Sequence, residues 1–217
     1  MRLKGGDPFL FGRGGEEAGA LRDAGVPFEI VPGVTSGIAA PAYAGIPVTH
    51  REHASQVTLV TGHEDPSKTE TALDYATLAK APGTKVIYMG VERLGPITAG
   101  LIAAGADPAT PAALVRWGTT GGQRTLVATL RDLADKAAEA GFTAPAVAVI
   151  GGVVALRESL SWFEGRPLHG KRIVVTRTRK QAGTLSRPLA DLGADVLEIP
   201  AIRTEPPEDV RAFAELV

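Results

Sequence analysis

Short apolar runs alternate along the chain with amphipathic segments that end in glycine. Runs such as 57–61 and 85–89 are rich in Val, Ile and Leu or Tyr and lie next to Gly, Pro or polar residues, which is typical of buried strands. Segments such as 97–104 carry apolar residues at helical spacing and stop before a glycine. The alternation predicts an α/β fold with a largely buried sheet.

The same pattern gives each predicted element a range. Helices are predicted at 16–24, 37–44, 75–80, 97–104, 133–140 and 185–192. Strands are predicted at 26–31, 57–61, 85–89, 112–117, 146–150, 173–176 and 196–199, and an extended segment at 123–130. The amphipathic stretch 209–217 predicts the first turns of another helix.

The periodicity breaks near residues 165–170, where Gly and Pro replace the regular pattern. A new β-α-β pattern begins at Lys171, so we expect 166–170 to be a linker and 171–217 to start a second domain. A turn begins at Gly5 with no complete strand before it, and 209–217 stops without a cap. Because natural domains begin and end in exposed polar segments, we expect the chain to be part of a longer protein.

Composition narrows the possible functions. The 23 Lys and Arg residues nearly balance the 24 Asp and Glu residues, which argues against generic nucleic-acid binding. The absence of cysteine excludes disulfides, thiolate metal sites and cysteine nucleophiles, and no metal site is predicted. Neither a membrane-spanning apolar run nor a signal peptide is visible, so we expect a cytoplasmic protein.

The glycine-rich segment 2–17 carries the most specific motif. Glycines at 5 and 6 let the backbone approach a ligand, and Asp7 before a proline is biased to an extended conformation. Gly-Gly-Asp-Pro alone is more often a structural turn, but the whole string resembles the signature of uroporphyrinogen-III C-methyltransferases, within the tetrapyrrole methylase family. The resemblance continues in order and spacing through segments 31–36, 42–51, 60–63, 86–90 and 115–119.

This resemblance implies a two-domain α/β methylase fold whose first domain is incomplete here. Residues 1–54 would be the end of the first subdomain and 55–165 the second. Members of the family transfer methyl groups from S-adenosylmethionine to uroporphyrinogen III, giving precorrin-2 for sirohaem and cobalamin, and are typically homodimers. The family's glycine/proline-rich loop and its acid and base belong before Met1, so no catalytic residue is assigned.

The resemblance also implies which residues bind the cofactor S-adenosylmethionine, which becomes S-adenosylhomocysteine after methyl transfer. The predicted cofactor residues are Gly5, Gly6, Asp7, Leu10, Thr35, Ser36, Met89, Gly118 and Ala146. For Met89, the strand pattern alone favours a core position. His63 and Glu64 are tempting as acid or base, but a histidine at a strand end is more often structural.

Substrate recognition calls for cations, because uroporphyrinogen III carries eight carboxylates and the chain is nearly neutral overall. The candidates are Arg13, His50, Arg51 and Arg116. Each is also compatible with a solvated surface charge, and for Arg116 the two interpretations are equally supported.

The C-terminal segments 170–179, 189–194 and 199–202 resemble the start of uroporphyrinogen-III synthase, and Arg177 is either a substrate contact or a surface arginine. The sequence therefore predicts a methyltransferase fused to a synthase. The alternatives are an inactive fragment that retains half of the cofactor cleft, and a methylase of a later corrinoid intermediate.

Overall fold

The computed structural model describes residues 1–63, 73–202 and 205. The predicted helix at 209–217 and the candidate Glu64 lie outside these residues. The chain divides into two compact units, one formed by Met1–Thr119 and Gln123–Gly165, the other by Thr120–Gly122 and Arg166–Val217.

The first unit contains six helices and five strands within its described part. The helices are α1 (Gly14–Asp23), α2 (Ser36–Tyr43), α3 (Tyr75–Lys80), α4 (Leu94–Ala103), α5 (Leu133–Glu139) and α6 (Arg157–Leu160). The strands are β1 (Val57–Thr61), β2 (Thr84–Tyr88), β3 (Pro111–Arg116), β4 (Arg124–Thr129) and β5 (Ala146–Ile150).

The five strands form one mixed sheet in the order β1-β2-β5-β3-β4. Strands β1 and β2 are parallel, whereas β5 runs antiparallel to both β2 and β3. The carboxyl ends of β1, β2 and β3 therefore share one edge of the sheet with the start of β5. At that edge Val147 lies between Tyr88 on one side and Val115 on the other.

Alternate residues along the strands face two separate cores, as the two-residue period of a strand requires. On one face, Leu114 and Ala148 pack with α4 and α5. On the other face, Ala113 and Val149 pack with Ala40 of α2. Helix α2 is thus the element of the N-terminal segment that is anchored to the sheet.

The strand predicted at 26–31 is wrong. This segment forms no strand, and its Val26, Phe28, Ile30 and Val31 are exposed. It pairs with no strand among the described residues, and an apolar β-branched composition does not make a strand without a partner for its backbone.

In the second unit, β6 (Arg172–Val175) and β7 (Asp195–Glu198) pair in parallel, and α7 (Arg179–Asp191) connects them. Helix α7 begins six residues earlier than the apolar pattern predicts, because its first two turns are polar. None of the helices in the described ranges combines the length and apolar character needed to cross a membrane.

Candidate active site

Two exposed residues at the carboxyl edge of the sheet adopt a left-handed backbone. Met89, directly after β2, has φ 51°, and Trp117, directly after β3, has φ 48°. The two residues are 50% and 42% exposed. A left-handed backbone is uncommon outside glycine and concentrates at ligand sites, and α/β sheets bind ligands beyond the carboxyl ends of their strands. With β5 between them, the two strand ends are about 10 Å apart.

Tyr88, the last residue of β2, fixes the N-terminus of α2 to this edge. Its buried hydroxyl shares a hydrogen bond of 2.9 Å with Thr35 Oγ1 and accepts another of 3.0 Å from the amide of Gly37. A Cβ on Gly37 would lie 2.1 Å from the same hydroxyl, so only glycine fits there. Thr35 is accordingly buried, whereas Ser36 is exposed.

The loop around Asp7 is held against the segment that leads into α2. Asp7 Oδ1 accepts hydrogen bonds from the amides of Phe9 and Leu10, and Oδ2 accepts one of 3.1 Å from the amide of Gly33. These amide donors, Gly33 first, hold the pKa of the Asp7 carboxyl below its usual value. The Asp7 carboxylate therefore joins two loops rather than projecting unpaired into solvent.

The two loops approach so closely that glycine is required. Gly6 has φ 79°, and a Cβ on Gly33 would lie 2.3 Å from the Gly6 carbonyl oxygen. On Gly5, by contrast, a Cβ would meet nothing within 4 Å, so the space beside this residue is open.

The loop after β3 reaches the same helix farther along. A Cβ on Gly118 would lie 2.3 Å from Ala40 Cβ, so Gly118 is in direct packing contact with α2. Three of the predicted cofactor segments are thus linked to helix α2. The Gly5–Asp7 loop lies beside the N-terminus of α2, Met89 follows Tyr88, which is hydrogen-bonded to that N-terminus, and Gly118 packs on Ala40.

An open hollow of about 380 Å³ lies beside Met89. It is lined by Phe9, Phe11, Arg13, Gly14, Gly15, Glu16, Thr61, His63 and Met89. The hollow brings together two predicted residues, Met89 and Arg13. Its aromatic wall is held in place because the Phe11 ring packs 5.0 Å from the Tyr88 ring.

Two further predicted cofactor residues, Leu10 and Ala146, lie at or against the same edge of the sheet. Leu10 packs on the buried group formed by Val86, Tyr88 and Val147. Ala146, the first residue of β5, lies opposite Arg116 in the register.

Arg116 places a cation at the same edge. Its guanidinium lies 3.9 Å from the centroid of the Trp117 ring. The Arg116 Nε atom is buried and has no hydrogen-bond partner among the described residues. Stacking of this kind fixes the orientation of a planar cation while leaving its outer nitrogens available to an anion.

His50 and Arg51 lie in the turn that connects α2 to β1. The turn is closed by reciprocal backbone hydrogen bonds between His50 and Ala54, and Arg51 is exposed. His50, Glu52 and His53 place potential metal-ligand atoms within 4.8 Å of one another. However, His50 Nδ1 accepts a hydrogen bond from the Glu52 amide, which assigns the proton of the neutral ring to Nε2. The ring therefore offers a donor, which suits an anion better than a metal.

Comparison with known proteins decides the family. The family model described as Tetrapyrrole (Corrin/Porphyrin) Methylases matches residues 1–134. The chain belongs to the tetrapyrrole methylase family. The predicted family and its mixed α/β fold are therefore confirmed.

Individual relatives agree with this family. The chain is 46% identical over 205 residues to a uroporphyrinogen-III C-methyltransferase of Bacillus subtilis, covering 94% of this chain and 42% of that protein. It is 45% identical over 206 residues to the porphyrin biosynthesis protein HemD of Ruminiclostridium josui, covering 95% and 41%. The chain thus spans about two fifths of the length of these relatives.

A solved methylase structure shares the fold. The uroporphyrin-III C-methyl transferase of Thermus thermophilus, complexed with S-adenyl homocysteine, matches with a TM-score of 0.62 and 39% identity. The match covers 71% of this chain and 66% of that one.

Several residues at or behind the candidate site do not stand out in the sequence. Tyr88 stands at the end of an apolar strand, and nothing in the pattern distinguishes it from a core aromatic. The sequence favours a structural role for His63, which stands at a strand end, yet His63 lines the hollow. Gln123 is a polar residue that is only 1% exposed. Its burial is not visible in the sequence, because it depends on hydrogen-bond partners that are distant along the chain.

Proposed function

We propose that this chain carries the methyl-transfer site of an S-adenosylmethionine-dependent uroporphyrinogen-III C-methyltransferase, giving precorrin-2. The observation that carries the proposal is the connection of the Gly5–Asp7 loop, Met89 and Gly118 through α2. The backbone is strained at Met89 and Trp117, a hollow lies beside Met89, and the space beside Gly5 is open. The family membership supplies the chemistry.

The residues present fit an adenosyl sulfonium ligand. The open space beside Gly5 admits a ligand close to the backbone, as the amino-acid end of the cofactor requires. Met89 offers a flexible thioether, which adapts to an irregular apolar surface such as an adenosine.

When bound, S-adenosylmethionine supplies an activated methyl group on sulfur. Because the donor is already activated, the protein has to align donor and acceptor and exclude water. The Asp7 tether and the Tyr88 hydrogen bonds serve alignment, since Asp7 joins two loops and Tyr88 fixes the N-terminus of α2 to the sheet. The aromatic wall formed by Phe9 and Phe11 serves the exclusion of water.

For the substrate, we propose that Arg116, His50, Arg51 and Arg13 bind carboxylates. Arg116 has the strongest support, because its guanidinium is oriented by Trp117 at the edge where Met89 also lies. His50 offers an Nε2–H donor, and Arg51 and Arg13 are exposed cations.

We further propose that 1–54 completes a first methylase subdomain, 55–165 is the second, 166–170 is a linker, and 171–217 begins a uroporphyrinogen-III synthase. Alignments of 205 and 206 residues necessarily extend beyond residue 165, so the two relatives continue in the same manner. The parallel β6-α7-β7 arrangement suits the start of an α/β domain.

Calorimetric titration with S-adenosylhomocysteine tests the cofactor site, with adenosine and ATP as comparison ligands. We expect saturable binding of S-adenosylhomocysteine and weaker binding of the others. Absence of heat at millimolar ligand would contradict the proposal. Radiolabel transfer from S-adenosylmethionine to uroporphyrinogen III tests the substrate. Binding without transfer would favour the inactive half-cleft, and transfer only to a corrinoid would favour the later methylase.

A further inference from the structure

A buried polar network lies behind the loop that follows β3. Glu164 Oε1 accepts hydrogen bonds from Gln123 Nε2, at 2.9 Å, and from Thr125 Oγ1. Its Oε2 accepts one of 2.7 Å from Arg157 Nη2. The side chains of Arg157 and Glu164 are only 16% and 17% exposed, so their charges are largely withdrawn from water.

The network ends on two backbone groups beside the proposed site. Gln123 Oε1 accepts a hydrogen bond of 2.8 Å from the amide of Thr119, and Arg157 Nη1 donates to the carbonyl of Ala44. Ala44 closes the carboxyl end of α2, where a cation complements the unsatisfied carbonyls and the helix dipole. The network therefore connects the end of α2 to the loop that packs on α2 at Ala40.

This loop needs support, because its backbone is strained. Trp117 and Thr119 have φ values of 48° and 73°, in the left-handed region that β-branched and bulky residues avoid. Such conformations persist where the surroundings fix them, and the Gln123 hydrogen bond to Thr119 is a contact that does so.

We infer that Gln123 and Glu164 are positioning residues that hold the 117–119 loop against α2 and thereby set the affinity for the adenosyl ligand. Neither residue lines the hollow, and neither touches the bound molecule in this account. The inference rests on the proposed function, because it assigns the effect to the proposed cofactor site.

The test compares four variants of the 217-residue chain. Gln123→Ala removes the contact to Thr119. Gln123→Glu places a second carboxylate against Glu164, whereas the double variant Gln123→Glu with Glu164→Gln exchanges donor and acceptor between these two positions, which restores the hydrogen bond that joins them and keeps an acceptor for the Thr119 amide. Thr129→Ala is the control, because it breaks a similar side-chain bond, of 2.8 Å to Asp132, at the far end of β4.

Two readouts separate positioning from simple stability. The first is the Kd for S-adenosylhomocysteine, measured below the melting transition of every variant. The second is the fluorescence anisotropy of Trp117, measured in a Trp162→Phe background because the chain has two tryptophans. We expect Gln123→Ala and Gln123→Glu to raise Kd roughly five- to tenfold and to lower the anisotropy. The double variant should recover both, and Thr129→Ala should change neither.

Unchanged Kd in Gln123→Ala would overturn the inference, as would an equal loss in Thr129→Ala. Failure of the parent chain to bind S-adenosylhomocysteine would instead contradict the proposed function. In that case the anisotropy of Trp117 still tests the positioning role. If Gln123→Ala leaves this anisotropy unchanged, the positioning role is overturned.

Discussion

The carboxylate of Asp7 accepts a hydrogen bond of 3.1 Å from the backbone amide of Gly33, which is 26 positions away in the sequence. The other carboxylate oxygen accepts hydrogen bonds from the amides of Phe9 and Leu10. The Asp7 side chain therefore fixes its own loop and joins it to the segment around Gly33. A motif that resembles a ligand contact in the sequence thus fixes the conformation of two loops at the candidate site.

Replacing Asp7 with Asn should weaken binding of S-adenosylhomocysteine severalfold or more. The Asn side chain has only one acceptor oxygen, and an amino group replaces the other carboxylate oxygen. That amino group would face a backbone N–H, so two donors would meet. Calorimetry measures the change. Asp23→Asn is the matched control, because Asp23 is exposed and pairs with the neighbouring Arg22. Equal affinities of the Asp7 variant and the parent chain would remove the tether from the account.

The same tether predicts a pH dependence. The folded state lowers the pKa of Asp7 below its usual value of 3.8, chiefly through the Gly33 amide. Its contribution to stability is therefore fully present above that usual value and is lost as pH falls through the lower folded-state pKa. Urea unfolding from pH 6 to about pH 3 should show the stability difference between parent and Asp7→Asn shrinking toward the acidic end. A constant difference across this range would contradict the sign.

Tyr88→Phe should destabilise the fold by about 1–3 kcal/mol, because the buried Thr35 hydroxyl and Gly37 amide lose their partner. Urea denaturation measures this loss. Tyr43→Phe is the control, since the Tyr43 hydroxyl makes no hydrogen bond with the described residues and its ring contacts remain. Equal stability of Tyr88→Phe and the parent would show that α2 is not anchored through this hydroxyl.

Much of the fold follows from the sequence, because strands such as 146–150 are continuous apolar runs with clear ends. The order of the strands does not follow, since it depends on which residues pair across long separations. The failed prediction at 26–31 shows the same limit: local composition favoured a strand, and the absence of a partner among the described residues decided otherwise.

The sequence likewise indicates some residues of the candidate site and not others. Gly6 and Asp7 stand out because they belong to a specific glycine-rich string, whereas Met89 is found only through the family resemblance of segment 86–90. Gln123 and Glu164 do not, because their hydrogen bond joins positions 41 residues apart. Local patterns therefore locate the loops of the site but not the contacts that hold them.

Arg116→Lys should weaken binding of uroporphyrin, a stable octacarboxylate analogue of the proposed substrate. Arg131→Lys is the control, because Arg131 is an exposed arginine in the turn after β4, and it should weaken binding less. Lysine keeps the charge but loses the planar group that stacks on Trp117. Fluorescence titration at low salt measures the affinity, and added salt should reduce it for both proteins. If Arg116→Lys binds as the parent does, the stacked guanidinium is not a substrate contact.

The most direct test is to map S-adenosylhomocysteine on the isotopically labelled chain by amide chemical-shift perturbation. The account predicts that the largest changes fall on Gly5 to Asp7, Gly33 to Ser36, Met89 and Trp117 to Thr119, all at one site. Changes confined to other surfaces, or none at saturating ligand, would contradict it.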